Sequence, residues 1–195
     1  MDKIKKQLEF LIEIDKLKEI FRQSILVNSR RNENDAEHSW HLCMYAVVLS
    51  EYAPKELDIA RVLKMLLIHD VVEIYAGDTY LYDVEANKTK AAREQAAADK
   101  IYSLLPTEQG NELKELWYEF ERCDTIESKY ANSLDRLQPV ILNYMSQGER
   151  WLEHKVHKAD VIERGYRLMN YAPQEIKDVF LKILDDSVEK GYLLP

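Results

Sequence analysis

The sequence predicts an all-α fold, and three observations carry that prediction. Apolar side chains recur at the spacing of a helix along most of the 195 residues. Only 5 glycines and 5 prolines are present, which is few for a chain built of short strands and turns. No run reads as a strand bounded by turn residues. We therefore expect a single helical bundle of about seven or eight helices.

The elements follow in order from the periodicity and from the signals that begin and end helices. We expect helices at about 2–21, 35–52, 57–75, 88–105, 108–121, 124–147, 156–171 and 174–190. Asn34 and Glu37 have the spacing of a capping box at the second helix. Pro139 is expected to kink or interrupt the sixth helix. Loops are expected at 24–34 and at 76–87, the longer of which is a candidate functional loop.

Composition limits the class of protein. The chain is long enough for one domain, residues 1–195, and its 46% apolar content supports a sizeable core. A net charge of −8 argues against binding to duplex nucleic acid. The first 21 residues lack an uncharged stretch long enough for a signal peptide or membrane span. With two widely separated cysteines, reduced thiols and a cytoplasmic location without membrane contact are expected.

The dipeptide His69-Asp70 is unusual because it lies in the apolar run from Val62 to Ile74, which we expect to be a buried helix. A buried carboxylate is costly unless a cation or a set of hydrogen bonds compensates it. A divalent metal ion is the best candidate for that cation.

Two other helices direct ligand-type side chains toward the interior. His38 shares a helical face with Leu42 and Leu49, and Asp135 lies at the margin of an apolar stripe. Taken singly, a buried His is more often a hydrogen-bonded core residue, and Asp135 a surface or capping carboxylate. Together with His69 and Asp70 they form a mixed nitrogen and oxygen set that suits one Mn, Co, Fe, Ni, Zn or Mg ion.

These residues resemble a known family. His38, the pair His69-Asp70 and Asp135 resemble the H…HD…D pattern of HD-domain metal-dependent phosphohydrolases. The string from Glu33 to Ser39, with Glu73 and Gly77-Asp78 after the HD pair, resembles the 5′-deoxynucleotidase-like branch. The resemblance covers about residues 5–150, so residues 151–195 are expected to form a helical extension of one HD domain.

The resemblance implies roles for the residues that match. The four residues of the H…HD…D pattern would bind the metal. Glu73 would act as general acid or base, with hydrogen bonding to a ligand histidine as the alternative. Asp78 would take part in catalysis, and both Asp78 and Thr79 would contact the nucleotide. The alternative for Asp78 is a turn residue after Gly77, which ends the helix.

Arginines are the candidates for binding phosphate because guanidinium pairs with phosphate oxygens in bidentate fashion. Arg22, Arg30 and Arg31 are the three candidates, although each taken singly also fits a solvated surface residue. Arg22 matches the substrate-orienting Arg of the family loosely. Family members carry Trp beside that Arg, whereas this chain has Gln23, which leaves base stacking and deoxynucleotide specificity open.

The predicted activity is metal-dependent hydrolysis of a small nucleotide phosphomonoester, such as a deoxynucleoside 5′-monophosphate, by metal-activated water. One alternative is a nucleotide-binding sensor without turnover. The other is a dinuclear HD phosphodiesterase or oxygenase. Such proteins usually carry additional histidines between the HD pair and the final Asp, and residues 71–134 contain none. A homodimer is expected from the family and from aromatic residues on helical faces, namely Tyr102, Trp117, Tyr118 and Phe120.

Overall fold

The protein is a bundle of α-helices with one small hairpin, in a computed structural model that describes residues 2–28 and 31–195. The elements in chain order are α1 (Asp2–Glu13), β1 (Phe21–Ile25), β2 (Asn32–Asn34), α2 (Asp35–Val48), α3 (Ile59–Ile68), α4 (Glu73–Ala76), α5 (Val84–Tyr102), α6 (Thr107–Arg122), α7 (Ile126–Met145), α8 (Glu149–Glu153), α9 (Lys158–Arg164), α10 (Tyr166–Tyr171) and α11 (Gln174–Glu189). Two 3₁₀ segments occur at Ile14–Glu19 and Ser50–Tyr52. The all-α prediction is confirmed.

Helix α7 lies at the centre of the bundle and packs against α2, α3, α6, α10 and α11. Its first turn is capped by Thr125, whose side chain accepts a hydrogen bond from the Ser128 amide. Of the kink or interruption predicted at Pro139, the interruption is wrong, because the helix continues to Met145. A proline removes one backbone hydrogen bond, and the buried residues on both sides of it keep α7 in place.

The hairpin was missed because its strands are short and carry little apolar pattern. β1 and β2 pair antiparallel, with Phe21 opposite Asn34 and Ile25 opposite Asn32, and with an irregularity between these two pairs. β2 consists of Asn-Glu-Asn, which has no apolar residue to signal a strand. A tertiary contact supports the hairpin, since the Arg150 guanidinium donates to the Gln23 carbonyl at 3.2 Å and to Asn32 Oδ1 at 2.9 Å.

Several predicted helices are shorter than expected. The helix expected at 57–75 ends at Ile68, and a turn of four residues separates it from α4. The helix expected at 2–21 changes to 3₁₀ geometry after Glu13. The segment at 156–171 divides at Gly165, where an added Cβ would lie 2.8 Å from the Val161 carbonyl oxygen. Tertiary packing decides where these helices begin and end, so the apolar periodicity alone does not predict their boundaries.

Three of the four aromatic residues that suggested a dimer surface are buried inside the chain. Tyr102, Trp117 and Phe120 are 2–4% exposed, because α6 packs against α3, α5 and α7. They therefore provide no surface for association, and that basis for the homodimer was wrong; dimer formation itself stays a prediction. Among the described residues, no helix is long and apolar enough to cross a bilayer.

Gly148, between α7 and α8, supports a specific stability prediction. It has φ of 71°, and a Cβ there would lie 1.9 Å from the Tyr192 carbonyl oxygen. We expect Gly148→Ala to lower the free energy of unfolding by more than the about 1–3 kcal/mol of backbone strain alone. Gly191→Ala is the matched control, since Gly191 has φ of 72° but no atom within 4 Å of the added Cβ. Urea denaturation compares the two, and equal losses would contradict the clash.

Candidate metal centre and active site

A cavity of about 800 Å³ opens between α4, α5, α6, α7 and the segment from α8 to α10. Most of the predicted site residues line it, although they come from distant parts of the sequence. These residues are Arg22, His69, Asp70, Glu73, Asp78, Thr79 and Asp135. His38 lies behind this wall, fully buried, with its ring against Asp135. The fold thus brings the H…HD…D residues and Glu73 to one place.

His38 is fixed by the beginning of α2. The Asn34 side chain accepts a hydrogen bond from the Glu37 amide at 2.9 Å, and Glu37 accepts one from the Asn34 amide, which confirms the capping box. His38 Nδ1 donates to Gln138 Oε1 at 3.1 Å, since the amide nitrogen of Gln138 donates to Glu33 and His41. Nε2 therefore faces Asp135 Oδ1, which lies 3.1 Å away.

The pair His69-Asp70 lies in the turn that follows α3, immediately beyond the helix predicted to contain it. His69 Nδ1 donates to the Leu66 carbonyl at 2.9 Å, which fixes the ring so that Nε2 faces the carboxylates. This Nε2 lies 3.1 Å from Asp70 Oδ2 and 3.7 Å from Asp135 Oδ1. Asp70 Oδ2 is also 3.9 Å from His38 Nε2.

The donor set fits a divalent metal ion. His38, His69 and Asp135 each offer one ligand atom, and these three atoms lie within 4.8 Å of one another. His69 Nε2 is buried and makes no hydrogen bond with the described residues, although carboxylates surround it. Two imidazole rings and two carboxylates that converge in a buried site are a donor set that suits a divalent cation between them. Asp70 completes the set from the same turn as His69.

Electrostatics around these residues also favour a cation. Burial alone would lower the pKa of His69, but Asp70 and Asp135 raise it to about 10. Burial alone would raise the pKa of Asp135, but the Arg136 guanidinium and the adjacent rings of His38 and His69 hold it well below its usual range. The site therefore carries negative potential that a bound cation neutralises.

A second group of acids lies next to the histidines. Carboxylate oxygens of Asp35, Glu73 and Asp78 lie within 4.8 Å of one another, and this group could also hold a cation. Burial and the Asp70 carboxylate raise the pKa of Asp35 to about 7. Burial and the charges of Asp70 and Asp35 raise the pKa of Glu73 well above its usual value. Close like charges disfavour full ionisation, so this group retains protons near neutral pH.

The alternative role for Glu73 is a hydrogen bond to one of the proposed ligand histidines, and the hydrogen bonds of those histidines do not support it. The Nδ1 atoms of both histidines are bonded elsewhere, to Gln138 and to the Leu66 carbonyl. Gly77 ends α4 with φ of 76°, as the sequence predicts, and directs the chain into the loop that carries Asp78 and Thr79. Thr79 Oγ1 accepts a hydrogen bond from Arg93 at 2.7 Å, which anchors this loop to α5.

The three arginine candidates have different surroundings. Arg22 lies on β1 at the cavity wall, where Nη1 donates to Asp70 Oδ2 at 2.6 Å and to Asp35 Oδ1 at 3.2 Å. Arg31 is exposed, forms an ion pair with Glu37, and does not line the cavity, so the structure does not bring it to the site. Arg30 lies outside the described residues.

The structure adds polar residues to this site for which sequence reasoning gave no role. They are Glu33, Asp35, Arg136 and Gln138. Gln138 lies three residues after Asp135 and so on the same side of α7, but this spacing does not indicate which side chains it contacts. Arg136 follows Asp135 directly, and this adjacency in the sequence is the signal that could have placed it at the site.

Comparison with known proteins identifies the family. The sequence matches the HD domain over residues 14–177. The chain belongs to the HD-domain family. In this HD chain, the cavity wall carries His69, Asp70, Asp135 and Glu73, and His38 lies directly behind that wall against Asp135.

Relatives and solved structures of HD proteins agree with this assignment. The 5′-deoxynucleotidase HDDC2 of Homo sapiens is 31% identical over 76% of this chain and 70% of that protein; the one from Bos taurus is 28% identical over 69% and 64%. A crystal structure of a predicted metal-dependent phosphohydrolase from Magnetospirillum magnetotacticum has a TM-score of 0.94 at 42% identity, covering 99% of this chain and 96% of that one. The PH0347 protein of Pyrococcus horikoshii shares the fold, with a TM-score of 0.64 at 19% identity over 91% and 98% of the two chains. This chain is a hydrolase of the HD superfamily.

Proposed function

We propose that this HD protein hydrolyses a small nucleotide phosphomonoester, with a deoxynucleoside 5′-monophosphate as the leading substrate. The observation that carries the proposal is the convergence of His38, His69 and Asp135 within 4.8 Å at the wall of a cavity. Buried acids and an arginine adjoin this group, which are the parts that phosphate ester hydrolysis needs. The names of the human and bovine relatives support the nucleotide class.

One divalent ion would be held by the two histidines together with Asp70 and Asp135. Mn, Co, Fe, Ni, Zn and Mg all fit such a mixed set of ligands. The ion would supply a Lewis acid for phosphoryl oxygens and lower the pKa of a water molecule. The protein contributes the orientation of both rings, through Gln138 and the Leu66 carbonyl, and the exclusion of solvent around them.

Glu73 is proposed as the general acid that protonates the oxygen of the leaving nucleoside. Its raised pKa supports this role, because a carboxyl group that holds its proton more tightly than usual can donate it as the P–O bond breaks. Water supplies the oxygen that phosphate gains, and the nucleoside leaves as the free alcohol. Asp78 and Thr79 would contact the nucleotide from the loop, and Arg22 would orient it from β1.

Aromatic side chains offer a surface for the base in place of the Trp that is missing beside Arg22. Tyr80 and Tyr82 line the cavity, with ring centroids 5.3 Å apart. The ring of His154 lies 4.6 Å from that of Tyr80. Stacking on aromatic rings tolerates every base, since each base has a π-face. Selectivity between bases is therefore expected to be weak.

The experiment is a panel of phosphomonoesters with Mn²⁺ or Co²⁺, measured by phosphate release and combined with elemental analysis. We expect release from deoxynucleoside 5′-monophosphates and one ion per chain. Tight nucleotide binding without release would favour the sensor. Two ions per chain would favour the dinuclear alternative, for which the acids Asp35, Glu73 and Asp78 provide a second group of ligands.

A further inference from the structure

Arg136 presents a buried donor for which the described residues offer no acceptor. It follows Asp135 on α7 and lines the cavity. Its Nε is inaccessible to solvent and makes no hydrogen bond with the described residues. Its recorded ion pair is with Asp135, where Nη1 lies 3.7 Å from Oδ2, beyond hydrogen-bond distance.

Three other arginines of the cavity wall, Arg22, Arg150 and Arg167, are engaged with protein acceptors. Arg22 donates to Asp70 and Asp35. Arg150 donates to the Gln23 carbonyl and to Asn32, and Arg167 donates to Asn132 and to the Glu121 carbonyl. These guanidinium groups hold parts of the fold together. Arg136, by contrast, lies beside a proposed metal ligand with donors left over.

The Arg136 side chain as a whole is 25% exposed and lines the cavity, so a ligand there meets the exposed part of its guanidinium, not the buried Nε. The position of Arg136 indicates an anion, because guanidinium pairs with two oxygens of a phosphate in one plane. Arg31, the candidate expected from the sequence, is exposed and paired with Glu37.

We propose that Arg136 binds the phosphoryl group of the substrate beside the metal centre and neutralises the charge that develops there during hydrolysis. This role rests on the proposed phosphomonoesterase function. A residue that only supported Asp135 would change the affinity of the protein for the metal. A phosphate-binding residue instead changes the affinity for phosphate while the metal occupancy stays constant.

The test measures orthophosphate binding to the Mn²⁺-loaded protein by titration calorimetry, together with Mn²⁺ affinity and turnover. For Arg136→Gln we expect weaker orthophosphate binding, unchanged Mn²⁺ affinity, and kcat lower by about 10²–10³-fold, the range for one lost donor to a developing charge. Arg136→Lys keeps the charge but not the planar fork, and we expect it to recover part of the orthophosphate affinity. Arg122→Gln, at an exposed position on α6, is the matched control.

Chemical rescue separates a direct contact from a structural role. Guanidinium added at millimolar concentration is expected to restore part of the turnover of Arg136→Ala, and to leave wild-type protein unchanged. Orthophosphate affinity in Arg136→Gln equal to that of wild-type protein would overturn the proposal, as would a parallel loss of Mn²⁺ affinity. Failure of the proposed function has a different signature, namely no phosphate release by wild-type protein while orthophosphate still binds in the calorimeter.

Discussion

Replacement of Asp70 by Ala is expected to abolish both metal binding and turnover. Asp70 Oδ2 lies 3.1 Å from His69 Nε2 and 3.9 Å from His38 Nε2, so it faces both proposed nitrogen ligands. Loss of this carboxylate removes an anionic ligand and part of the potential that attracts the cation. We expect a larger drop in metal affinity than the about 10–100-fold typical of residues that only support a ligand. Elemental analysis after dialysis, with phosphate release, measures both effects.

The Asp70 experiment needs controls because the same carboxylate accepts a hydrogen bond from Arg22. In Asp70→Ala, Arg22 keeps Asp35 as a partner, so we expect the chain to fold. Asp70→Asn preserves the size of the side chain and should still lose most of the metal, since the charge is gone. Asp99→Ala, an exposed aspartate of α5, is the matched control and should retain both properties. Full activity in Asp70→Ala would falsify the metal assignment.

The burial of the proposed metal ligands could be predicted from the sequence because it follows from local rules. The capping box at Asn34 and Glu37 fixes where α2 begins, and hence which way His38 points. The apolar run before His69 indicated burial, and both His69 and Asp70 are at most 8% exposed. Such rules act within one or two helical turns, so they can be applied from the local sequence alone.

The contacts between distant segments could not be predicted in that way. Gln138 bonds to His38, Glu33 and His41, which lie about 100 residues away, and an amide side chain has no pattern that announces such a role. The hairpin depends in the same way on Arg150, which reaches back to Gln23 and Asn32. Arg22 was found from the resemblance, but its bonds to Asp70 and Asp35 emerge only when three segments pack together.

Replacement of Glu73 by Gln is expected to reduce turnover by about 10²–10⁴-fold, the usual contribution of general acid–base catalysis, while the metal content stays unchanged. The amide keeps the shape of the side chain but cannot donate the proton that the leaving oxygen takes. Burial together with Asp70 and Asp35 raises the pKa of this carboxyl group, so the protonated form is the active one. Wild-type kcat should therefore fall as pH rises through that pKa, and this limb should be absent from Glu73→Gln.

The leaving group provides the sharper test of Glu73. A 4-nitrophenyl phosphate releases a phenolate that needs little protonation, whereas a nucleoside 5′-phosphate releases an alkoxide that needs a proton. If Glu73 is the acid, Glu73→Gln must impair nucleotide hydrolysis far more than nitrophenyl phosphate hydrolysis. Glu115→Gln, at an exposed position on α6, controls for loss of one carboxylate. Equal impairment of both substrates would instead place Glu73 among the groups that hold the metal, and elemental analysis of the same variant would then show reduced occupancy.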